Sequence, residues 1–267
     1  MRRLEAVIFD WAGTTVDFGS LAPVRAVTEL FAREGIRVTD ADIRRDMGIF
    51  KRDHIRKILG LAEMESAWLV EKGSLPTEAD VEELFEKFIP IQMEVLEAHS
   101  QLIFGVGRIC ENLTGRDLKI ASTTGYTRPM LQVLLDSAMS QGYKPELSLC
   151  PDDVGGGRPL PWMCLRIALE FQLSSTAAAV KIGDTPSDIG EARNAGMWAI
   201  GVVATGNEIG MSTEEFAALD EDERERRLKI GRENLLAAGA HYAIDHVVDL
   251  EPILDKIAER LDAGEWP

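Results

Sequence analysis

A chain of 267 residues with 45 Asp and Glu against 29 Lys and Arg has a formal net charge of −16 at pH 7, which excludes nucleic-acid backbones and anionic membranes as general partners. That length allows one large domain or a core with a smaller inserted one, and no apolar run is long enough to span a bilayer. Cys110, Cys150 and Cys164 are widely spaced and odd in number, so they fit neither a disulfide framework nor a zinc site and point to a reducing cytoplasm. An anionic small molecule stays open as substrate, because a local cation cluster can invert the field inside one cleft.

Basic residues precede apolar ones at the start of the chain, as in a leader peptide, but Glu5 and Asp10 interrupt the stretch. Residues 6–9 therefore read as a first buried strand. Roughly ninety residues follow without a convincing strand, too long for a crossover; helical spacing is expected over 23–35, 39–59 and 77–98. Thr77-Glu78-Ala79-Asp80 has the form of a capping box. Further strands are expected at 119–122, 147–150, 178–182 and 198–203, with helices over 127–140, 159–171 and 186–195 between them. Residues 212–236, rich in Glu and Arg, read as one or two surface helices with solvated charges. Strand–helix alternation implies an α/β fold: a doubly wound parallel sheet, Rossmann-like, with a helical module inserted after the first strand. The expected division is a core of residues 1–19 and 100–267 and a cap of residues 20–99.

Ligands of such sheets gather at the carboxyl ends of the strands. Asp10 stands at the first of these ends, and a carboxylate there can attack phosphorus if a cation neutralises the approach. The second strand ends in Ser122-Thr123-Thr124-Gly125, with hydroxyls and backbone N–H groups suited to phosphate oxygens. After the third comes Gly155-Gly156-Gly157-Arg158-Pro159, with one guanidinium, and after the fourth Gly183-Asp184-Thr185-Pro186-Ser187-Asp188, with two acids at a helix start. Each alone reads as a turn, a loop or a cap. Together they place nucleophile, hydroxyl, cation and acids around one sheet edge.

In these motifs the chain resembles the haloacid dehalogenase superfamily. Phe9-Asp10-Trp11-Ala12-Gly13-Thr14-Thr15 is similar to its first motif, Thr124 to its second, and Gly183-Asp184 with Asp188 to its fourth. Arg158 takes the place usually held by the third-motif Lys, and Lys181 reads as structural. One departure matters. Phosphatases of the superfamily carry a second Asp two residues after the nucleophile, where this chain has Ala12. Alanine cannot protonate a leaving oxygen. A phosphatase, a sugar phosphomutase, an aldolase-type lyase and a silent phosphate-binding scaffold are the rival readings, and Ala12 weighs against the first two.

Met47-Gly48-Ile49-Phe50-Lys51-Arg52-Asp53-His54 offers another kind of help to a leaving group. On a regular helix Met47, Lys51 and His54 share one face, and an amine beside an apolar Met with arginines nearby can have a lowered pKa. A solvated Lys is the blander reading. Ala12 together with this segment resembles the phosphonoacetaldehyde hydrolase (phosphonatase) family, as do Gly125-Tyr126-Thr127-Arg128, Pro151-Asp152-Asp153-Val154 and Asn194-Ala195-Gly196-Met197-Trp198. Ser20 stands where relatives can carry a Cys. The resemblance implies cleavage of a carbon–phosphorus bond through a Lys51 Schiff base and an Asp10 aspartyl-phosphate, in 2-aminoethylphosphonate degradation. It implies Mg²⁺ held by Asp10, the Ala12 carbonyl and Asp184, with Asp188 behind them. Thr124, Gly125 and Arg158 would hold the phosphonate, His54 would move protons and Met47 would shape a dry pocket. A cytoplasmic homodimer is the expected assembly.

Overall fold

The computed structural model describes residues 3–267; Met1 and Arg2, the start of the expected core, lie outside the described residues. Six strands form one parallel sheet: β1 (Ala6–Phe9), β2 (Lys119–Thr123), β3 (Leu147–Leu149), β4 (Ala179–Gly183), β5 (Trp198–Val202) and β6 (Tyr242–Ile244). Their order is β3-β2-β1-β4-β5-β6. Central β1 runs Ala-Val-Ile-Phe with every residue buried, the continuous apolar run of a strand covered on both faces. It pairs with both neighbours, Ala6 opposite Lys119 on one side and Ala179 on the other. Chain order reverses at this strand. The crevice beyond the carboxyl ends of β1 and β4 is therefore the expected ligand site.

The expected doubly wound α/β fold is the observed one, with each of the five expected strands present within a residue or two at its ends. β6 was not expected; it is a three-residue edge strand, half-buried at two positions, without a pattern to read. Helices Ala62–Lys72, Val106–Gly115 and Leu250–Asp262 were also unexpected. The last buries Leu250, Leu254, Ile257 and Leu261, a plain helical stripe. The acidic stretch forms Thr213–Ala217 and Glu221–Ala237; the longer one buries only Leu228, Gly231 and Leu235. Among the described residues no helix is long and apolar enough to cross a membrane.

Between β1 and β2 the chain is helical. Leu21–Arg33 packs along Glu78–Leu96, and Leu30, Phe31, Leu84 and Phe88 lie in one apolar cluster between them. Thr77 and Asp80 form the reciprocal capping box that their spacing implies. Residues 39–59 are a correction. They make two helices, Asp40–Arg45 and Lys51–Leu59, separated by a non-helical stretch. Gly48 sits in that break at φ 90°, and a β-carbon there would collide with the Thr185 hydroxyl. The break lets this segment press against the carboxyl end of β4.

Candidate active site

Asp10 follows β1 and Asp184 follows β4, so adjacent strand ends bring the two carboxylates together. Asp188 enters from the first turn of helix Pro186–Ala195, where Thr185 and Asp188 cap the helix reciprocally. Ligand atoms of Asp10, Asp184 and Asp188 lie within 4.8 Å of one another. Asp184 Oδ2 accepts from the Asn207 backbone N–H at 2.8 Å, and its Oδ1 accepts from the Thr14 hydroxyl at 3.4 Å.

Two buried cations meet these acids. Arg158 spans three: Nη2 to Asp10 Oδ1 at 2.7 Å, Nη1 to Asp188 Oδ1 at 2.8 Å and Nε to Glu191 Oε2 at 3.0 Å. Its Nη2 also donates to the Thr123 carbonyl at 2.6 Å. Lys181 Nζ donates to Asp188 Oδ1 at 2.7 Å, the structural role expected of it. Asp188 is therefore saturated, its other oxygen accepting from the Thr185 hydroxyl at 2.6 Å. Burial alone would raise its pKa, but Arg158 and Lys181 hold it below the usual carboxylate value. Asp184 lacks such a partner. Burial, then the charges of Asp10 and Asp188, push it well above the usual value, and burial raises Asp10 despite Arg158. Two buried carboxylates with raised pKa values, Asp10 sharing Arg158 with two other acids and Asp184 without a cationic partner, fit a hard divalent cation, which would favour the ionised form of both.

Lys51 opens helix Lys51–Leu59 and is 4% exposed. Among the described residues its Nζ has one hydrogen-bond acceptor, Met47 Sδ at 3.6 Å, and it lies 5.4 Å from the centre of the Tyr126 ring. Burial lowers its pKa to about 8, against the attraction of Asp10. Arg158 adds to the lowering, so the relevant guanidinium lies across the cavity and not next to Lys51 in sequence. The helix N-terminus further disfavours an ammonium.

A cavity of about 20 Å³ joins these groups. Asp10, Ala12, Thr124, Gly125, Arg158 and Asp184 wall it from the sheet, and Met47, Gly48 and Lys51 from the helical segment. The volume suits about one water. Gly125 permits the seal, because a β-carbon there would lie 2.5 Å from the Ile49 carbonyl. Eight of the expected site residues line this cavity: Asp10, Ala12, Met47, Lys51, Thr124, Gly125, Arg158 and Asp184.

Asp188 and His54 do not line it. Although three residues from Lys51, His54 points its Nε2 at the Ile43 carbonyl, 2.7 Å away, and its Nδ1 has no partner among the described residues. Burial, with the charge of Lys51, lowers its pKa to about 3, so the ring is neutral. Met47 keeps its place beside the amine from outside the helix. Reasoning from sequence noted Ser20 and quoted Tyr126 and Thr185 in motifs without giving them a place in the wall, and missed Pro23 in the wall and Glu191 behind Arg158. Glu191, one helical turn after Asp188, was the one with a signal: an acid on the same helix face.

Residues 4–196 match the family model of haloacid dehalogenase-like hydrolases. The chain is 40% identical to phosphonoacetaldehyde hydrolases of Bacillus cereus (strain B4264) and Bacillus anthracis, over 97% of this chain and 98% of each relative. It is similar to the crystal structure of a phosphonoacetaldehyde hydrolase-like protein from Oleispira antarctica, with TM-score 0.97 and 43% identity over 99% of this chain and 96% of that one. A putative phosphoglycolate phosphatase from Lactobacillus delbrueckii shares the fold at TM-score 0.67 and 21% identity, over 94% and 98% of the two chains. With its parallel sheet, acid cluster and nearly full-length likeness to these relatives, the chain belongs to the phosphonoacetaldehyde hydrolase family of haloacid dehalogenase-like hydrolases.

Proposed function

We propose that this chain hydrolyses the carbon–phosphorus bond of phosphonoacetaldehyde to acetaldehyde and phosphate, with Asp10 as nucleophile and Lys51 as the imine-forming amine. One observation carries the reading. A buried amine with its pKa lowered to about 8 shares a cavity with the strand-end carboxylate, at a site where Ala12 replaces an acid. Among the described residues no carboxylate other than Asp10 and Asp184 lines the cavity, so the position two residues after the nucleophile supplies no acid for a leaving alkoxide.

A phosphonate has no bridging oxygen to protonate. Its cleavage must leave an electron pair on carbon. Lys51 Nζ adds to the aldehyde, water leaves, and the protonated imine stands two bonds from phosphorus. Asp10 attacks phosphorus, the carbon–phosphorus pair moves into the imine, and its nitrogen receives the charge. The resulting enamine takes a proton on carbon and is hydrolysed to acetaldehyde, freeing Lys51, while water cleaves the aspartyl-phosphate. Thr124 and Gly125 hold the phosphonate oxygens, and Arg158, its three nitrogens already on Asp10, Asp188 and Glu191, contributes positive charge facing them and no free fork. Met47 keeps the amine dry. Asp188, with both oxygens engaged, fixes Arg158 and Lys181 behind the acids. His54, outside the cavity with its Nε2 on the Ile43 carbonyl and its pKa lowered to about 3, supports the helix behind Lys51 and does not serve as the proton carrier expected from sequence.

Asp10, the Ala12 carbonyl and Asp184 would hold Mg²⁺, which supplies charge neutralisation for an anionic nucleophile meeting an anionic substrate. Residues 20–99 act as a cap that opens over a core of 1–19 and 100–267; the cavity, walled from both, supports this division. A cytoplasmic homodimer and a place in 2-aminoethylphosphonate degradation follow from the family resemblance. Phosphate release from phosphonoacetaldehyde, with and without chelator, tests the activity. Release that chelator abolishes is expected; a chain that releases phosphate from esters and none from phosphonoacetaldehyde contradicts the proposal.

A further inference from the structure

Helix Asp40–Arg45 sends one side chain into the sheet-side loops. The half-buried Arg44 donates from Nη1 to the Gly19 carbonyl at 3.0 Å and to Asn207 Oδ1 at 3.2 Å, and from Nη2 to the Gly210 carbonyl at 3.1 Å. Asn207 answers, its Nδ2 donating to the Arg44 carbonyl at 3.1 Å. All four contacts are to neutral groups. They depend on the fork of the guanidinium and the two-sided amide more than on net charge.

The other side of the Asn207 turn faces the acid cluster. The Asn207 N–H donates to Asp184 Oδ2 at 2.8 Å. Nearby, the Thr205 hydroxyl donates to the Gly13 carbonyl at 2.7 Å, and the Thr205 carbonyl accepts from Gly19 N–H at 2.7 Å. Residues 205–210 thus touch Asp184 and the loop after Asp10 on one side, and Arg44 on the other. Neither Arg44 nor Asn207 lines the cavity.

We infer that Arg44 and Asn207 form a clamp through which the seated cap orients Asp184, so that cap closure and cation binding at Asp10 and Asp184 favour one another. This rests on the proposed division into cap and core. The Asn207 N–H decides which Asp184 oxygen is turned toward the cluster. When Arg44 withdraws, Asn207 loses its side-chain contacts and the turn is free to relax. Losing a hydrogen bond that orients a metal ligand typically weakens metal binding about 10–100-fold. Linkage requires the reverse effect: if closure tightens the cation, the cation stabilises closure by the same factor.

A purely electrostatic role for Arg44 has the opposite sign, since removing a positive charge near Asp184 would tighten a cation. Arg44→Lys keeps the charge and loses the fork; Asn207→Ala changes no charge and keeps the N–H. Mg²⁺ titration of the full chain by calorimetry, without substrate, reads the affinity, and amide exchange of residues 17–20 and 99–104 with and without Mg²⁺ reads closure. Expected are a Kd raised about tenfold in each variant, a double variant little weaker than either single one, and Mg²⁺-dependent protection of the linkers in the parental chain alone. Unchanged Mg²⁺ affinity in Asn207→Ala overturns the inference even if Arg44→Lys does not fold. Additive losses overturn it too, as does a parental chain that fails to bind Mg²⁺. Because no substrate is present, a failure to cleave phosphonoacetaldehyde would remove the substrate proposal and leave this result standing.

Discussion

Two sets of buried polar groups face each other across the cavity, and burial acts on them differently. On the sheet side Asp188 and Glu191 are met by Arg158 and Lys181, which hold Asp188 below the usual carboxylate value, while burial still raises Glu191. On the helical side Lys51 has only a thioether to bond, and loses much of its hold on a proton. Asp184, four residues from Asp188 and equally buried, falls between: it receives N–H and O–H donors but no cationic partner, and its pKa goes up where that of Asp188 goes down. Burial is common to all of them. Lys51 and Asp184, which line the cavity, have no ionic partner, whereas Asp188 behind it has two; Asp10 lines the cavity while paired with Arg158.

The sharpest way to break this contrast is to remove a reagent. Asp10→Asn keeps shape and loses the nucleophile, and phosphate release should fall on the order of 10⁴-fold or more; a loss within tenfold would return Asp10 to a capping role. Gly125→Ala tests the seal between the two sides, because its β-carbon would lie 2.5 Å from the Ile49 carbonyl. A displaced Lys51 should lower kcat about 10²-fold with the fold intact by circular dichroism. Activity near the parental level would show that the seal is not required.

A third test turns on stability. An amine whose pKa falls from 10.5 to about 8 on folding destabilises the folded chain by about 3 kcal/mol at neutral pH. The unfolded chain binds that proton up to 10.5 and the folded chain only below about 8, so this destabilisation is full below 8 and fades as pH rises to 10.5. Lys51→Met should therefore unfold at higher denaturant concentration while losing activity, with the gain shrinking toward pH 10.5. A less stable variant would mean that the amine is held by contacts and is not merely tolerated. The smallest effect expected is in the pH profile. Imine formation needs the neutral amine, so its rate should climb with pH through a midpoint near 8, and a midpoint near 10.5 would contradict the lowered value.

Much of this arrangement was legible in the sequence because it is local. Asp10 and Asp184 close fully buried strands, and once the strands are parallel neighbours the acids must meet. Lys51 and Met47 stand close in sequence, and their contact survives even though the helix joining them does not exist. Gly48 in this stretch hinted at a bend, but the close approach of Thr185, far away in the chain, which leaves no room for a β-carbon there, was not readable. Helical spacing put His54 beside Lys51, yet its imidazole turned to a carbonyl that the same break had brought near. β6 is too short and too exposed for a pattern. Arg44 and Asn207, 163 residues apart, share no motif that could announce their contact.

The central claim is that Lys51 captures the aldehyde while Asp10 waits for the phosphorus. Borohydride added to Asp10→Asn with phosphonoacetaldehyde, followed by peptide mass analysis, tests it directly: the carbon–phosphorus bond stays intact, and the expected product is a reduced phosphonoethyl adduct on Lys51. A chain with no adduct, or one carried by a different lysine, would contradict the account.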